Sequence, residues 1–428
     1  MFGEDFSDSG FSDFSAELSE FEIRKIRKWD RVWKISEGGS IGVSPLFYEG
    51  KIYFGSMDHN IYCINAETGK ETWRFRTNDR ILIASPVQKD GILYNGSYDG
   101  YMYAFDTKTG KEKWKFKTGD TIASTVAIHG NRIYFGSNDG FVYCLNSKNG
   151  SLAWRFKTGD HVASAPAFHE GMVYIGSFDG NLYALDAETG KEVWRFKTGA
   201  EVYNETAFTI HNNVIYCPSF DNNLYAIDLR TGKEIWRFRV GKFGIGAPPL
   251  LHNETLFQSC QDGVMYALTL EGKEKWRFRT TNVGVILRAS VFKDRLYFGS
   301  EDGNFYCLTL QGKEMWRFKT GGSIFCYQPV FHKNNVYFGS YDCYLYCISS
   351  EDGKLIWRFA TSSFVQSKLP PVGEAFEMVV KSEAPAEDEI QKKEDSYADK
   401  NVDFGEEVYS VKSEYSFKSE YQTKTEYR

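Results

Sequence analysis

Six residues stand where an otherwise uniform pattern breaks, and their chemistry is that of a polar binding site. Small residues lead into a strand-like run in the early copies of a recurring segment: Val43-Ser44-Pro45, Ala84-Ser85-Pro86, Ala123-Ser124-Thr125 and Ala163-Ser164-Ala165-Pro166. Later copies carry Tyr203-Asn204-Glu205, Arg288 and Tyr327-Gln328 at a comparable place. A rule broken in a few copies marks where function concentrates in a repeat. Brought to one opening, an arginine, a carboxylate, two amides and two phenols would hold a small polar or anionic ligand. The same residues allow a second arrangement, in which Arg288 and Glu205 pair with each other and fill the space.

Other chemistry-bearing residues read as structural. Asp58, Asp99, Asp139, Asp179, Asp221, Asp262, Asp302 and Asp342 recur at one position in a tight turn. Before Gly or Asn, an aspartate caps its own backbone. Cys63, Cys144, Cys307 and Cys347 alternate with Ala at another repeated position, which is the place of a small buried hydrophobe. Cys343 and Cys347 lie four apart, and no Cys-x-x-Cys occurs, so neither a zinc nor a redox motif is present. There is no histidine cluster, nucleophile elbow, phosphate loop or pair of catalytic carboxylates. The expectation is no metal and no catalytic residue.

The elements that position these residues are repeats. Trp33, Trp73, Trp114, Trp154, Trp194, Trp236, Trp276, Trp316 and Trp357 follow one another at intervals of 40 to 42 residues. A period of that size is the mark of a repeat architecture. Within the copy at residues 164–199, four short runs rich in Val, Ile, Tyr, Phe and Trp lie between Gly and Asp turns. They are Ala167–Phe168, Met172–Gly176, Asn181–Leu185 and Glu192–Lys197, which read as a four-stranded antiparallel meander. One such sheet cannot bury both faces, but copies stacked around an axis can, which is a propeller blade.

A second marker gives the count. Tyr62, Tyr103, Tyr143, Tyr183, Tyr225, Tyr266, Tyr306 and Tyr346 each precede a small residue. The fold expected is an all-β, eight-bladed β-propeller over residues 30–362. Trp73, Trp114, Trp154, Trp194, Trp236, Trp276, Trp316 and Trp357 would form blade-to-blade contacts. Each buries about 150–250 Å², worth at most about 4–6 kcal/mol. Gly69, Gly110, Gly190 and Gly232 would supply the positive φ of the hairpin. Trp33 is one too many, so Arg31–Ile35 is expected to pair with the last blade, beside or in place of the strand carrying Trp357.

The block from Ala184 through Asp186, Thr189 and Gly190 to Trp194 resembles the Ala-x-Asp-x-x-Thr-Gly-x-x-x-Trp repeat of the PQQ-like β-propellers. It recurs at Tyr103–Trp114 and Tyr225–Trp236, and the resemblance covers about three-quarters of the chain. It implies the propeller fold. In the quinoprotein alcohol dehydrogenases that name the family it also implies a quinone. Other members are non-enzymatic scaffolds, such as the propeller subunit of the bacterial outer-membrane assembly machine. This chain has no adjacent cysteine pair, no long blade insertions and no secretory signal, so the fold carries over and the activity does not. PQQ is unsupported by the residues, and no cofactor is expected.

Charge is segregated. The whole chain carries −6; residues 1–22 hold seven acids and no bases, and residues 365–428 hold fifteen acids and nine bases, which leaves +7 for residues 23–364. Arg74, Arg76, Lys115, Lys117, Arg155, Lys157, Arg237 and Arg239 alternate with Trp and Phe on the last run of a blade. They form either an anion-binding belt or protection for an open sheet edge. No nucleic-acid motif and no membrane-length apolar stretch occurs. The acidic start, unlike a secretory signal, points to the cytoplasm.

The ends divide into an acidic tail at 1–29, a charged linker at 363–403 and a repeat tail at 404–428. Tyr409, Tyr415, Tyr421 and Tyr427 recur every six residues in a two-faced alternation, which suits a strand added to a sheet edge or a disordered tail. Self-association through this tail is one expectation from it. The function expected is a non-catalytic, cytoplasmic scaffold that binds proteins through a propeller face or the tails. The second reading is a propeller that binds a small ligand or quinone in its channel, with redox activity.

Overall fold

The computed structural model describes residues 39–241, 244–280, 288–325 and 328–361. These form eight four-stranded antiparallel sheets, each built from four strands consecutive in the chain, and no helix occurs among the described residues. In blade four the strands are Ala167–His169, Met172–Gly176, Asn181–Asp186 and Glu192–Lys197. The sequence-derived runs match them to within one residue.

The register explains the two sequence markers. In blade four Ala184 lies opposite Trp194, with a bulge just after Ala184, and Tyr183 lies opposite Arg195. The residue after the tyrosine must be small because an indole shares its face. The indole itself reaches the next blade. Trp194 Nε1 donates to the Leu229 carbonyl at 3.0 Å, and Trp73, Trp114, Trp154, Trp236, Trp276 and Trp316 repeat the bond at 3.0–3.1 Å. The glycine of the next blade's last hairpin lies beneath each ring. A Cβ on Gly190 would meet Trp154 at 2.5 Å, and Gly190 has φ +70. The position therefore demands glycine twice, for backbone and for space. The phenylalanine two residues after each tryptophan packs on the next blade's tyrosine, as Phe156 does on Tyr183 at 5.5 Å.

Among the described residues the ring closes by the same contacts that join the other blades. Leu355–Ala360, carrying Trp357, is itself the fourth strand of blade eight. Trp357 Nε1 donates to Ala66 O at 3.2 Å, Phe359 packs on Tyr62 at 5.5 Å, and the Tyr62 hydroxyl donates to Thr361 O at 2.9 Å. Of the two arrangements open to Arg31–Ile35, taking the place of the Trp357 strand is thereby excluded. Trp33 and Arg31–Ile35 lie outside the described residues, as do both tails and the linker.

The turn aspartates do more than cap. Asp179 Oδ1 accepts the Asn181 N–H at 2.9 Å, while Oδ2 accepts the Tyr183 hydroxyl at 2.6 Å and the Gly159 N–H at 2.8 Å. Gly159 belongs to the segment arriving from blade three, so one carboxylate ties a turn, a strand and the preceding blade together.

The hairpin between the first and second strands has positive φ at both central residues in several blades: Glu49-Gly50, Asp90-Gly91 and Glu170-Gly171 have glycine second, but blade six has Asn253-Glu254 at +45 and +55. A left-handed residue bearing Cβ costs about 1–2 kcal/mol, partly offset by the added freedom of glycine in the unfolded chain. Glu254→Gly is therefore expected to stabilise the ring by about 0.5–1 kcal/mol in denaturant unfolding. A loss of stability would contradict it.

Candidate functional site in the central channel

The segment between the outer strand of one blade and the first strand of the next runs up the axis. One hydrophobic cluster joins Met57 of blade one, Leu82 and Ile83 of blade two, Ala123 of blade three, Ala163 of blade four, Tyr203 of blade five, and Phe325 and Tyr341 of blade eight. Tyr98, Phe178 and Phe220 pack against it. Only the axis can bring six blades into one cluster.

Tyr203 and Glu205 belong to this aromatic layer. Blade five reaches it because its connection is longer: six residues lie between Val202 and Thr209, where four lie between Val162 and Ala167 in blade four. Tyr203 lies 5.7 Å from Phe178 and 6.1 Å from Phe220, centroid to centroid. Its hydroxyl donates to Glu205 Oε1 at 2.6 Å. Glu205 is 2% exposed, and its Oε2 has no hydrogen-bond partner. Burial pushes its carboxyl well above the usual range, against the pull of the Tyr203 hydroxyl. Asn204 acts as a stitch: its Nδ2 donates to Ala165 O at 2.9 Å and Thr206 O at 2.6 Å, and its own carbonyl accepts the Ala165 N–H at 2.7 Å.

Arg288 comes from blade seven and crosses to blade five. Its guanidinium donates to Thr209 Oγ1 at 2.9 Å, Ala207 O at 3.3 Å, and Thr206 Oγ1 and Pro249 O at 3.5 Å. All are neutral oxygens, and burial pulls the group down to about 10, so it stays charged at neutral pH. The Arg288–Glu205 pair allowed by the sequence is not among the ion pairs of the described residues. The longer connection turns Glu205 into the aromatic layer and sets Thr206 and Ala207 before Arg288 instead. Gln328 lines a separate open cavity of about 430 Å³ with Leu46, Leu250, His252 and Ser290. Tyr327 lies outside the described residues.

Sequence reasoning missed Tyr98, Phe178, Phe220 and Tyr341. All stand at the x of the turn motif Gly/Pro-Ser-x-Asp, where the eight copies read Met57, Tyr98, Asn138, Phe178, Phe220, Gln261, Glu301 and Tyr341. Blade six has Ser-Cys in place of the first two residues. A freely varying position inside a constant turn was the available signal.

The outer belt is largely compensated. Arg74, Arg195, Arg237, Arg277 and Arg317 bond the glutamate three residues earlier at 2.6–2.8 Å. Lys157 Nζ donates to Asp139 O at 2.7 Å, and Lys117, Lys197 and Lys319 bond the equivalent carbonyls. Of the +7 over residues 23–364, four charges are Arg24, Lys25, Arg27 and Lys28, outside the described residues.

A family model described as outer membrane protein assembly factor BamB matches residues 25–126, 114–206, 179–319 and 306–398. Among solved structures, the chain is similar to BamB from Moraxella catarrhalis, at 19% identity and a TM-score of 0.59 over 73% of this chain and 92% of that one. It is also similar to the computationally designed Ika8 protein, at 17% identity and a TM-score of 0.64 over 73% of this chain and 98% of that one. At these identities the structures share the fold. No curated protein matches the chain. With its repeats matched from end to end of the ring, this chain belongs to the BamB-like family of PQQ-like repeat β-propellers.

Proposed function

We propose that this chain is a non-catalytic scaffold that holds protein partners on the rim of blades three to five. One observation carries the reading. Three consecutive outer strands expose large aliphatic side chains: Leu152 at 46%, Val193 at 57% and Ile235 at 53%. Among the described residues each strand is bonded to its own sheet on one side only. An open strand edge bearing apolar side chains is the usual place for a partner's strand to add. Blades two and six are protected there, with Lys113 and Lys275 at the register of Val193 and Ile235. Ile356 of blade eight is also exposed, at 47%.

The name of the matched family speaks of assembly, which agrees with a scaffold. Pyrroloquinoline quinone fits the aromatic layer poorly, because it is a carboxylated anion and the layer presents Glu205 and Glu301. We place the work in the cytoplasm. Cys63, Cys144, Cys217, Cys307, Cys343 and Cys347 are buried thiols outside any disulfide, which agrees with a reducing compartment.

The test gives blades four and five the residue that blades two and six already carry. In pull-downs from the source cell, Val193→Lys with Ile235→Lys should lose proteins that the parent chain retains. A partner so found, once purified, should bind the double variant about tenfold or more weakly. Melting temperature should be unchanged, and a control change at Lys275 should leave binding intact. Equal binding by the double variant refutes the rim.

A further inference from the structure

Glu205 Oε2 of blade five is buried in the aromatic layer without a hydrogen-bond partner. The phenols of Tyr98 in blade two and Tyr341 in blade eight stand near enough to feel its charge. They come from different parts of the ring and face one region. The Glu205 charge raises both phenols further after burial has raised them, and Tyr98 adds to the rise at Tyr341. A buried acceptor without a donor is costly, and a carboxyl oxygen left so beside two phenols points to a ligand that supplies donors.

The charge of the layer selects the kind of donor. Two carboxylic acids face it, Glu205 and Glu301, against the Arg80 guanidinium, which lies over the Tyr98 ring at 5.2 Å. Arg288 is turned to neutral oxygens on blades five and six and enters none of the shifts at Glu205, Tyr98 or Tyr341. The balance favours a cation. The walls agree, since aromatic faces attract cations and cover alkyl chains. Phe178, Phe220 and Tyr98 are only partly buried, so the ring faces have an accessible side.

We propose that the axis of this ring binds a primary alkylammonium group, whose three N–H donors are accepted by Glu205, Tyr98 and Tyr341 while Phe178, Phe220 and Tyr203 face its alkyl chain. An ammonium head has three donors and no acceptor, which matches three acceptors from three blades. Glu205 must ionise to take it, so binding of the ammonium to the protonated acid releases one proton to solvent. The site is independent of the rim, and the Val193→Lys, Ile235→Lys variant should keep it.

Titration calorimetry on the full chain with n-butylammonium, 1-pentanol and tetramethylammonium tests the proposal. At pH 7.5 n-butylammonium should bind about tenfold or more tightly than 1-pentanol, its neutral counterpart. It should also bind more tightly than tetramethylammonium, which has charge but no N–H. Glu205→Gln should bring the first two probes level, and Tyr98→Phe, which keeps the ring, should weaken the ammonium several-fold. Affinity should fall on lowering the pH to 5.5. Equal binding of n-butylammonium and 1-pentanol by the parent chain overturns the site. So does parent-like ammonium binding by Glu205→Gln, or tetramethylammonium binding as tightly as n-butylammonium.

Discussion

Trp316→Ala should destabilise the ring by about 3–5 kcal/mol, the usual cost of removing a buried tryptophan. Trp316 is 3% exposed. It packs on Tyr297 at 5.9 Å and Phe305 at 6.5 Å, and its Nε1 donates to Glu351 O of blade eight at 3.1 Å. The change leaves a cavity and an unpaired carbonyl at one blade interface. Gly353→Ala should also destabilise, for two separable reasons. At φ +72 any Cβ costs about 1–2 kcal/mol. That Cβ would also meet the indole of Trp316 at 2.7 Å. In the Trp316→Ala background the steric part disappears and the backbone part remains. A double-mutant cycle by denaturant unfolding should therefore show Gly353→Ala costing clearly less in that background. Strict additivity of the two changes would show that the indole and the glycine do not constrain each other.

The same pair of residues explains why the fold was readable. Tryptophan and glycine recur because each blade must present one indole to the next blade's hairpin, and a closed ring repeats that requirement eight times. A constraint repeated eight times becomes a period in the sequence. The tyrosine and the aspartate four residues before it recur for the same reason, being hydrogen-bonded to each other and to the preceding blade. Closure was left open because nine tryptophans suggested a further strand beside the Trp357 strand or in its place. Residues 355–360 form the fourth strand of blade eight, and Arg31–Ile35 lies outside the described residues.

The channel was harder to read because a channel residue answers to no period. Glu205 drew attention by breaking the pattern, yet its partner was misplaced. The 42-residue interval between Trp194 and Trp236 held the reason, a two-residue extension that changes which side chain faces the axis. Arg288 then meets Thr206 and Thr209 instead of a carboxylate. Tyr98 and Tyr341 were hidden inside a turn whose constant residues looked purely structural. The aspartate in that turn is held by hydrogen bonds within and between blades, while its neighbour is free to vary and points to the axis.

Glu205→Gln should change the pH dependence of stability more than any other single substitution in the channel. Burial raises the Glu205 carboxyl in the folded ring well above its unfolded value of about 4.3. Between those two values the folded state holds a proton that the unfolded state has released. Stability contributed by this group is thus fully present below about pH 4.3 and is lost as pH rises toward the folded value. Within that window the loss is about 1.4 kcal/mol per pH unit. Glutamine has the same shape, cannot ionise, and keeps an oxygen for the Tyr203 hydroxyl. The difference in unfolding free energy between variant and parent should be smallest near pH 4 and grow in the variant's favour as pH rises, with other titrating groups cancelling. Adding n-butylammonium at high pH should narrow the gap, since a bound cation relieves the buried charge only in the parent. Parallel stability profiles from pH 4.5 to 8 would show that Glu205 pays no cost for ionising in the channel.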